Sequence, residues 1–344
     1  MNSFASCVRG FHAALRCAVS RAWRGIRTAR PACAVFLLCA PVLSAKTVLR
    51  VGYFPNITHA QGVLGAHSTR EGAGWFEQRL GSDVTIQWFP FNAGPSAMEA
   101  IFAGSIDLTY VGPNPALNAY IRSRGAEIRV LAGAAEGGAA LVVPADGSLA
   151  GPADFKGRRI ASPQLGNTQD VAARVWLKKN GYRVALVGGD VPVVPTANAD
   201  QLALFQQGKI DAVWTVEPWV SRLELEAKGR LLVEQRDAVT TVLVASVKLL
   251  RTRPELVERF AAAHRELTAW VNEHPAEAQA RVRAGLSADA HREIPAALVA
   301  RAWPRLTFTE RVTQTQFETL VAEAQSVGFL RDAISLDRLF SRQP

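Results

Sequence analysis

Short apolar runs alternate with helical stretches along most of the chain, a pattern typical of an α/β protein. The runs predict buried strands because branched and aromatic residues crowd neighbouring positions. The predicted strands are 48–53, 84–89, 106–111, 128–132, 139–143, 159–161, 191–194 and 240–247. Helical spacing prevails from Pro254 onward, with an apolar face between Leu256 and Val271 and a further helix at 309–327.

One pattern occurs twice, at residues 101–110 (IFAGSIDLTY) and 205–214 (FQQGKIDAVW). Each copy predicts a helix that ends at glycine, a minimal turn, and a short apolar strand that runs into a proline-bearing turn. Ligands in open α/β sheets bind at such carboxyl ends of strands. Two similar units therefore predict two lobes facing one cleft, although coincidence between two ordinary helix-to-strand turns is the alternative.

The order of the segments predicts a chain that builds one lobe, crosses to a second and then returns. We expect the first part of lobe 1 at 46–143, lobe 2 at 144–240, and the return to lobe 1 with C-terminal helices at 241–344. The break at 144–147 (PADG) and the β-branched run at 240–247 (TTVLVASV) indicate the two crossings. The predicted hinges therefore lie near residues 143 and 240.

Residues 1–45 predict a secretory signal peptide and hence a periplasmic protein. They contain six arginines and no acidic residue, and the apolar run at 32–40 is too short to span a bilayer. Cleavage is expected after Ala45. A retained anchor and a lipoprotein modified at Cys39 are the alternatives.

This leader also explains the composition of the whole chain. The formal charge is +9, from 39 basic and 30 acidic residues, and removal of the six leader arginines leaves 33 basic residues and a net charge of +3. The remaining charge therefore gives no reason to expect a basic, nucleic-acid-binding surface on the mature protein. All four cysteines also lie in the leader, which excludes disulfides and cysteine nucleophiles from the predicted mature protein.

Anion-binding groups are predicted at two helix starts, one in each lobe. Residues 92–97 (NAGPSA) and 166–170 (GNTQD) both join a strand end to a helix whose first N–H groups are free to bind an anion. An ordinary helix cap is the alternative for each. The candidate ligand-binding residues here are Gly94, Ser96, Asn167, Thr168 and Gln169.

Further candidates follow other predicted strands. Glu217 is either an N-terminal cap before Pro218 or an acceptor, for a ligand ammonium or for a donor side chain. Trp219 offers an apolar cleft floor or core packing, and His59 offers a donor to an anion or a helix cap. The candidates of this group are Asn56, His59, Gly112, Asn114, Glu217 and Trp219.

Motifs for catalysis, cofactors and metals are missing from the sequence. We find no dinucleotide or phosphate loop, no nucleophile elbow and no His-Glu-x-x-His. The histidines show no spacing that brackets a metal, and His264 lies on an apolar helix face as a packed residue would. We therefore expect no enzyme activity, cofactor or metal.

Residues 51–60 (VGYFPNITHA), 91–96 (FNAGPS) and 110–115 (YVGPNP) resemble periplasmic solute-binding proteins of ABC importers, in the aliphatic sulfonate, taurine and nitrate group. The resemblance implies a two-lobed type II periplasmic binding protein fold with two hinge crossings. It also implies closure on a ligand and docking on an ABC permease in the inner membrane. The turns that it implies as cleft lining contain Ser96, Asn114, Thr168 and Glu217.

The expected function is therefore capture of a small organic anion, most simply an alkanesulfonate, by a monomer. A sulfonate is ionised at every physiological pH and only accepts hydrogen bonds, so neutral donors and helix ends suit it. Taurine, nitrate, a sulfate ester and a thiamin precursor are alternative ligands. An enzyme on the same fold and a sensory module are alternatives of other classes.

Overall fold

Two β-sheets with flanking helices organise the computed structural model, which describes residues 46–331 and 335–341. The predicted signal peptide lies outside the described residues. The strands are β1 (Thr47–Tyr53), β2 (Val84–Pro90), β3 (Leu108–Val111), β4 (Ile128–Gly137), β5 (Ala139–Pro144), β6 (Ile160–Ser162), β7 (Val193–Pro195), β8 (Ala212–Val216), β9 (Gly229–Gln235), β10 (Val239–Ser246) and β11 (Leu306–Phe308).

Helices connect and cover these strands. They are α1 (Ala60–Arg70), α2 (Trp75–Leu80), α3 (Gly94–Phe102), α4 (Pro113–Arg122), α5 (Thr168–Lys179), α6 (Asn198–Gln206), α7 (Trp219–Ala227), α8 (Val247–Thr252), α9 (Pro254–Glu273), α10 (Pro275–Ala290), α11 (Ala296–Ala302) and α12 (Gln314–Ser326). Single 3-10 turns occupy Ile57–His59, Pro152–Phe155 and Trp303–Arg305.

The first sheet has the strand order β11-β4-β10-β3-β1-β2, and the second has the order β7-β6-β8-β5-β9. In the first sheet β1 is parallel to β2 and β3, while β10 is antiparallel to β3 and β4. In the second sheet β6 is parallel to β7 and β8, while β5 is antiparallel to β8 and β9. We take each sheet with its helices as one lobe, lobe 1 and lobe 2 in this order.

The chain changes sheets between β4 and β5 and again between β9 and β10. Gly137 and Gly138, with φ of 76° and 69°, make the first change, since glycine alone adopts this left-handed region without strain. The N–H of Gly137 donates to the carbonyl of Ala238 at 2.9 Å, so the two crossings lie side by side. The first crossing therefore lies at 137–138 and not near 143, because β5 pairs with β8 and β9 of the second sheet.

The core of lobe 1 lies on both faces of its sheet and includes the predicted apolar face of α9. Phe76 stacks on Phe260 with ring centroids 4.4 Å apart. His264 is fully buried between the Tyr110 hydroxyl, 3.0 Å from its Nδ1, and the Gly133 carbonyl, 2.8 Å from its Nε2. Burial lowers the pKa of His264 to about 4, so it is a packed neutral residue, as its helical position predicts.

Candidate functional site

A cavity of about 20 Å³ lies between the lobes, where the strands of both sheets end. At roughly 10–15 Å³ per water molecule, it has room for one or two. The walls are formed by residues that follow β1, β2 and β3 in lobe 1 and β6 and β7 in lobe 2, together with Val216 at the end of β8 and Thr240 in β10. Seven of the predicted site residues line it: Asn56, His59, Gly94, Gly112, Asn167, Thr168 and Gln169.

Two predicted residues outside the lining join the lobes instead. The hydroxyl of Ser96, in α3, donates to Oε1 of Gln164 at 3.2 Å. The indole N–H of Trp219, in α7, donates to Oδ1 of Asn56 at 3.0 Å. Each hydrogen bond runs from a helix of one lobe to a loop of the other, so both residues hold the lobes together beside the cavity.

Asn114 is not among the residues that line the cavity. It is 4% exposed at the start of α4 and lines a neighbouring chamber together with Thr168. Its side-chain nitrogen has no hydrogen-bond partner among the described residues.

Glu217 is fully buried, and its carboxylate is engaged away from the cavity. It accepts from the N–H and the hydroxyl of Ser221, at 3.0 and 2.9 Å, and from Arg305 at 2.7 Å. Burial raises the pKa of Glu217, while Arg305 and Ser221 oppose that shift. The carboxylate therefore accepts both from the first turn of α7, through Ser221, and from the donor side chain of Arg305, while Pro218 is the N-cap of that helix.

Sequence reasoning did not propose several residues that line the cavity. One of them, Asn198, is the first residue of α6, whose N-cap is Ala197, and its side-chain oxygen accepts from the Thr215 hydroxyl at 3.2 Å. The missed lining residues are Phe54, Thr58, Asn92, Ala93, Pro115, Pro163, Asn198, Val216 and Thr240. Thr58 and Asn92 could have been predicted, because each follows the end of a predicted strand. No local sequence pattern indicates Thr240.

Four helices begin at this cavity, and their starts supply its electrostatic character. The N-caps of α3, α4 and α6 are Ala93, Gly112 and Ala197, and none of these residues makes a side-chain hydrogen bond to its helix. The first N–H of α6, from Asn198, donates to Oδ1 of Asn92 at 3.4 Å. At α5, Asn167 accepts from the N–H of Asp170 at 2.8 Å. Uncapped first-turn N–H groups carry partial positive charge, so their convergence favours an anion.

Two glycines allow these helix starts to approach closely. A β-carbon on Gly94 would overlap the Pro115 ring, and one on Gly112 would overlap the Thr168 hydroxyl. At Gly94 the starts of α3 and α4 approach each other within lobe 1. At Gly112 the start of α4, in lobe 1, approaches the start of α5, in lobe 2, so glycine at 112 is required for the lobes to meet.

None of the described residues that line the cavity bears a formal charge. His59 is 2% exposed, and its ring stacks on Phe54 with centroids 4.2 Å apart. Burial lowers the pKa of His59 to about 3, so the imidazole is neutral throughout the physiological range. Its Nδ1 has no hydrogen-bond partner in the described part of the chain.

A buried ion pair supports the lobe 2 side of the cavity. Asp170 and Arg174 are 0% and 1% exposed at the side chain, with 3.2 Å between carboxylate and Nε. Asp170 also accepts from the Gly166 N–H at 3.0 Å and the Ser162 hydroxyl at 3.1 Å. These bonds fix the loop that carries Asn167, Thr168 and Gln169.

Two further properties bear on function. No group of three or more His, Cys, Asp or Glu side chains suited to a metal ion occurs among residues 46–331 and 335–341. Within the same residues, no helix has the length and apolar character needed to cross a membrane.

Comparison with known proteins relates this geometry to a family. Residues 44–286 match the model of the NMT1-like family. The chain belongs to this family. It is 27% identical over 189 residues to the taurine-binding periplasmic protein of Escherichia coli K12, covering 52% of this chain and 55% of the relative. It is 30% identical over 156 residues to a putative aliphatic sulfonates-binding protein of the same organism, covering 44% and 46%.

These two matches span about half the length of the curated relatives. Structural similarity covers more of the chain than these sequence matches do. The alkanesulfonate-binding protein from Xanthomonas axonopodis pv. citri, bound to MOPS, superposes with a TM-score of 0.68 at 22% identity, covering 83% of this chain and 95% of that one. The predicted periplasmic binding protein fold is therefore confirmed for this member of the NMT1-like family.

Proposed function

We propose that this NMT1-like protein is the extracytoplasmic substrate-binding component of an ABC importer and that it captures an aliphatic sulfonate between its lobes. The observation that carries the proposal is the convergence of four helix starts on a cavity without charged side chains. Such a site attracts an anion through backbone donors and helix dipoles.

The chemistry of the lining favours a fully ionised anion over one that keeps a proton. A bound phosphate monoanion needs an acceptor for its remaining proton, and carboxylates serve this purpose in binding sites. The described lining contains amides, hydroxyls and a neutral imidazole, and it contains no carboxylate. Nitrate shares the lack of a proton with sulfonates, so it remains an alternative ligand together with taurine, sulfate esters and a thiamin precursor.

The names of the curated relatives support the same class of ligand. One is a taurine-binding periplasmic protein and the other a putative aliphatic sulfonates-binding protein, both from Escherichia coli K12. By analogy, residues 1–45 direct export to the periplasm and the closed protein delivers its ligand to an inner-membrane permease. Binding without catalysis also follows this analogy.

Ligand entry requires the lobes to separate, because a cavity of about 20 Å³ has room for one or two water molecules and an organic sulfonate has more heavy atoms than that. The interlobe bonds from Trp219 to Asn56 and from Ser96 to Gln164 break on opening and form again on closure. A ligand that bridges helix starts of both lobes binds the closed form better than the open form. This differential affinity shifts the equilibrium towards closure.

Titration of the chain from Lys46 onward, by calorimetry and tryptophan fluorescence, tests the proposal. Alkanesulfonates are expected to bind and to raise the melting temperature, and nitrate, taurine, sulfate esters and a thiamin precursor serve as competitors. Absence of binding across this whole set would overturn the proposal. Product formation during incubation with a bound ligand would identify an enzyme instead.

A further inference from the structure

A buried guanidinium group lies at the edge of lobe 1 that is remote from the interlobe cavity. It belongs to Arg129, the second residue of β4, which is 1% exposed. β4 ends at Gly137, where the chain crosses to lobe 2. At roughly 3.3 Å per residue, the strand between Arg129 and Gly137 spans about 26 Å. Arg129 therefore lies well away from the helix starts at the cavity.

The contacts of Arg129 leave its charge without a counterion. Its Nη1 donates to the carbonyls of Gly125 and Ile128, at 2.7 and 2.8 Å. Its Nε is buried and has no hydrogen-bond partner in the part of the chain that the structure describes. Within the same residues no carboxylate forms an ion pair with it. Buried charges are almost always paired in proteins, so this guanidinium indicates that an anion completes the site.

Two further arginines converge on the same place. Arg338 donates to the carbonyl of Arg124 at 3.0 Å, and Arg129 binds the next carbonyl, that of Gly125. Burial lowers the pKa of Arg129, and the nearby charges of Arg338 and Arg251 act in the same direction. Such repulsion disfavours three arginines in one cluster, and a negative ligand would offset it.

The acidic residues next to the cluster in sequence do not supply that negative charge. Glu127 and Asp337 are both exposed, and neither pairs with Arg129 within residues 46–331 and 335–341. Arg251, in the last turn of α8, and Arg338 are exposed as well. The outer part of the cluster is therefore accessible to a ligand from solvent.

We propose that Arg129, Arg251 and Arg338 form a binding site for a phosphate group, either free phosphate or the phosphomonoester headgroup of a lipid. Guanidinium donors match the spacing of phosphate oxygens. A phosphate group with one ester bond or none carries close to two negative charges above neutral pH, so it offsets more of the repulsion than a singly charged sulfonate does. Arg251 and Arg338 receive the ligand at the surface, and the free Nε of Arg129 is the donor at the base.

Calorimetric titration with inorganic phosphate at pH 8 and low salt tests the site. The unmodified protein is expected to bind phosphate with an affinity that falls as salt is added, because screening weakens the attraction. Arg338→Gln is expected to weaken binding about tenfold or more, since it removes a charged donor from an exposed position. Arg183→Gln, at an exposed arginine of lobe 2, is the matched control and is expected to stay within about twofold.

Arg129→Met separates ligand binding from packing. The variant is expected to lose phosphate binding, together with the rise in melting temperature that phosphate gives the unmodified protein. Its melting curve without phosphate verifies that it folds. If it does not fold, the exposed Arg338→Gln variant decides the outcome.

Lipid vesicles distinguish the two sources of the phosphate group. Cosedimentation with phosphatidic acid vesicles that fails with phosphatidylcholine vesicles and in Arg338→Gln would assign a lipid headgroup. Binding of inorganic phosphate without vesicle binding would assign free phosphate. Absence of both, or equal binding by the unmodified protein and Arg338→Gln, would overturn the site. Alkanesulfonate affinity is expected to stay within about twofold in these variants, because the two sites are far apart, so either result leaves the proposed function unaffected.

Discussion

At the scale of single residues, burial decides the chemistry of the site more than residue type does. The imidazole of His59 ordinarily titrates near neutral pH, but burial against Phe54 lowers its pKa and keeps it neutral in the cavity. Glu217 is an acid by nature, yet Arg305 and Ser221 engage it outside the cavity. The site is therefore neutral, although both residues could have carried charge in it.

Acid is expected to weaken the fold while leaving the charge of the site unchanged. Burial lowers the pKa of His59 and His264 from 6.5 to about 3 and about 4, so below pH 6.5 the unfolded chain binds more protons than the folded protein. Each histidine therefore reduces the free energy of unfolding at pH 5 by about 2 kcal/mol relative to neutral pH. Denaturant unfolding at pH 7 and 5 measures this effect.

In the same experiment, His59→Gln is expected to remove about half of the contribution that these two histidines make. An unchanged pH dependence in this variant would show that His59 is not held neutral. Sulfonate affinity of the unmodified protein is expected to stay constant between pH 5 and 8.

Gly112→Ala tests the close approach of α4 to α5. The added methyl group overlaps the Thr168 hydroxyl, so we expect a loss of about 1–3 kcal/mol in stability or an equivalent shift of the lobes. Ligand affinity is expected to fall about tenfold or more, measured by titration beside a melting curve. Gly151→Ala is the matched control because a β-carbon there meets no atom within 4 Å, and equal behaviour of the two variants would contradict the role of Gly112.

At the scale of elements, the helix starts provide the attraction that charged side chains provide elsewhere. The N-cap residues of α3, α4 and α6 make no side-chain hydrogen bond to the first turn, so those first-turn N–H groups that are neither replaced by proline nor bonded to Asn92 remain for the cavity. Asn92 joins two of these elements, since it precedes α3 and its Oδ1 accepts from the N–H of Asn198 in α6 at 3.4 Å. The helix dipoles act on the same ligand because these helix starts, from both lobes, converge on one cavity.

Asn92→Asp tests this electrostatic role with almost no change in shape. The carboxylate keeps the acceptor for Asn198 but places a negative charge beside the bound anion, so affinity is expected to fall between about tenfold and a hundredfold. The loss should shrink at high salt, because screening weakens the repulsion. Asn92→Ala, which removes the acceptor without adding charge, is the control, and an equal loss in both variants would argue against electrostatics.

At the scale of the whole molecule, the return of the chain to lobe 1 builds the hinge and its support. Arg305, just before β11, contacts Glu217 at 2.7 Å and Glu224 at 2.7 Å in lobe 2. Its carbonyl accepts from the N–H of Gly138 at 2.8 Å, and the carbonyl of Gly138 accepts from Glu217 at 2.8 Å. The first crossing is therefore fixed on both sides by one cluster.

Arg305→Met is expected to destabilise the protein by about 3–5 kcal/mol, because it leaves the buried Glu217 carboxylate unpaired. The double variant Arg305→Met with Glu217→Gln should recover a large part of that loss, since it removes the buried charge as well. Denaturant unfolding of the two single variants and the double variant measures the coupling. Additive losses would show that the pair does not act as a unit.

Local sequence patterns were sufficient for much of the fold. Periodicity and capping depend on residues close in sequence, so they predicted β1, β2, the start of α3 and the start of α5 near their observed positions. Strand β9 was missed because its seven residues are only half-buried and lack a continuous apolar run. Strand β11 was missed because three residues give too short a pattern.

The sequence by itself determined the α/β class, the family resemblance and the segments that carry the helix starts, since each depends on neighbouring residues. Only the tertiary structure decided that β5 belongs to the second sheet, that Thr240 reaches the cavity and that Arg305 takes the Glu217 carboxylate. These features depend on contacts between residues distant in the chain. Burial and pairing at such distances are properties of the folded arrangement, which no local pattern contains.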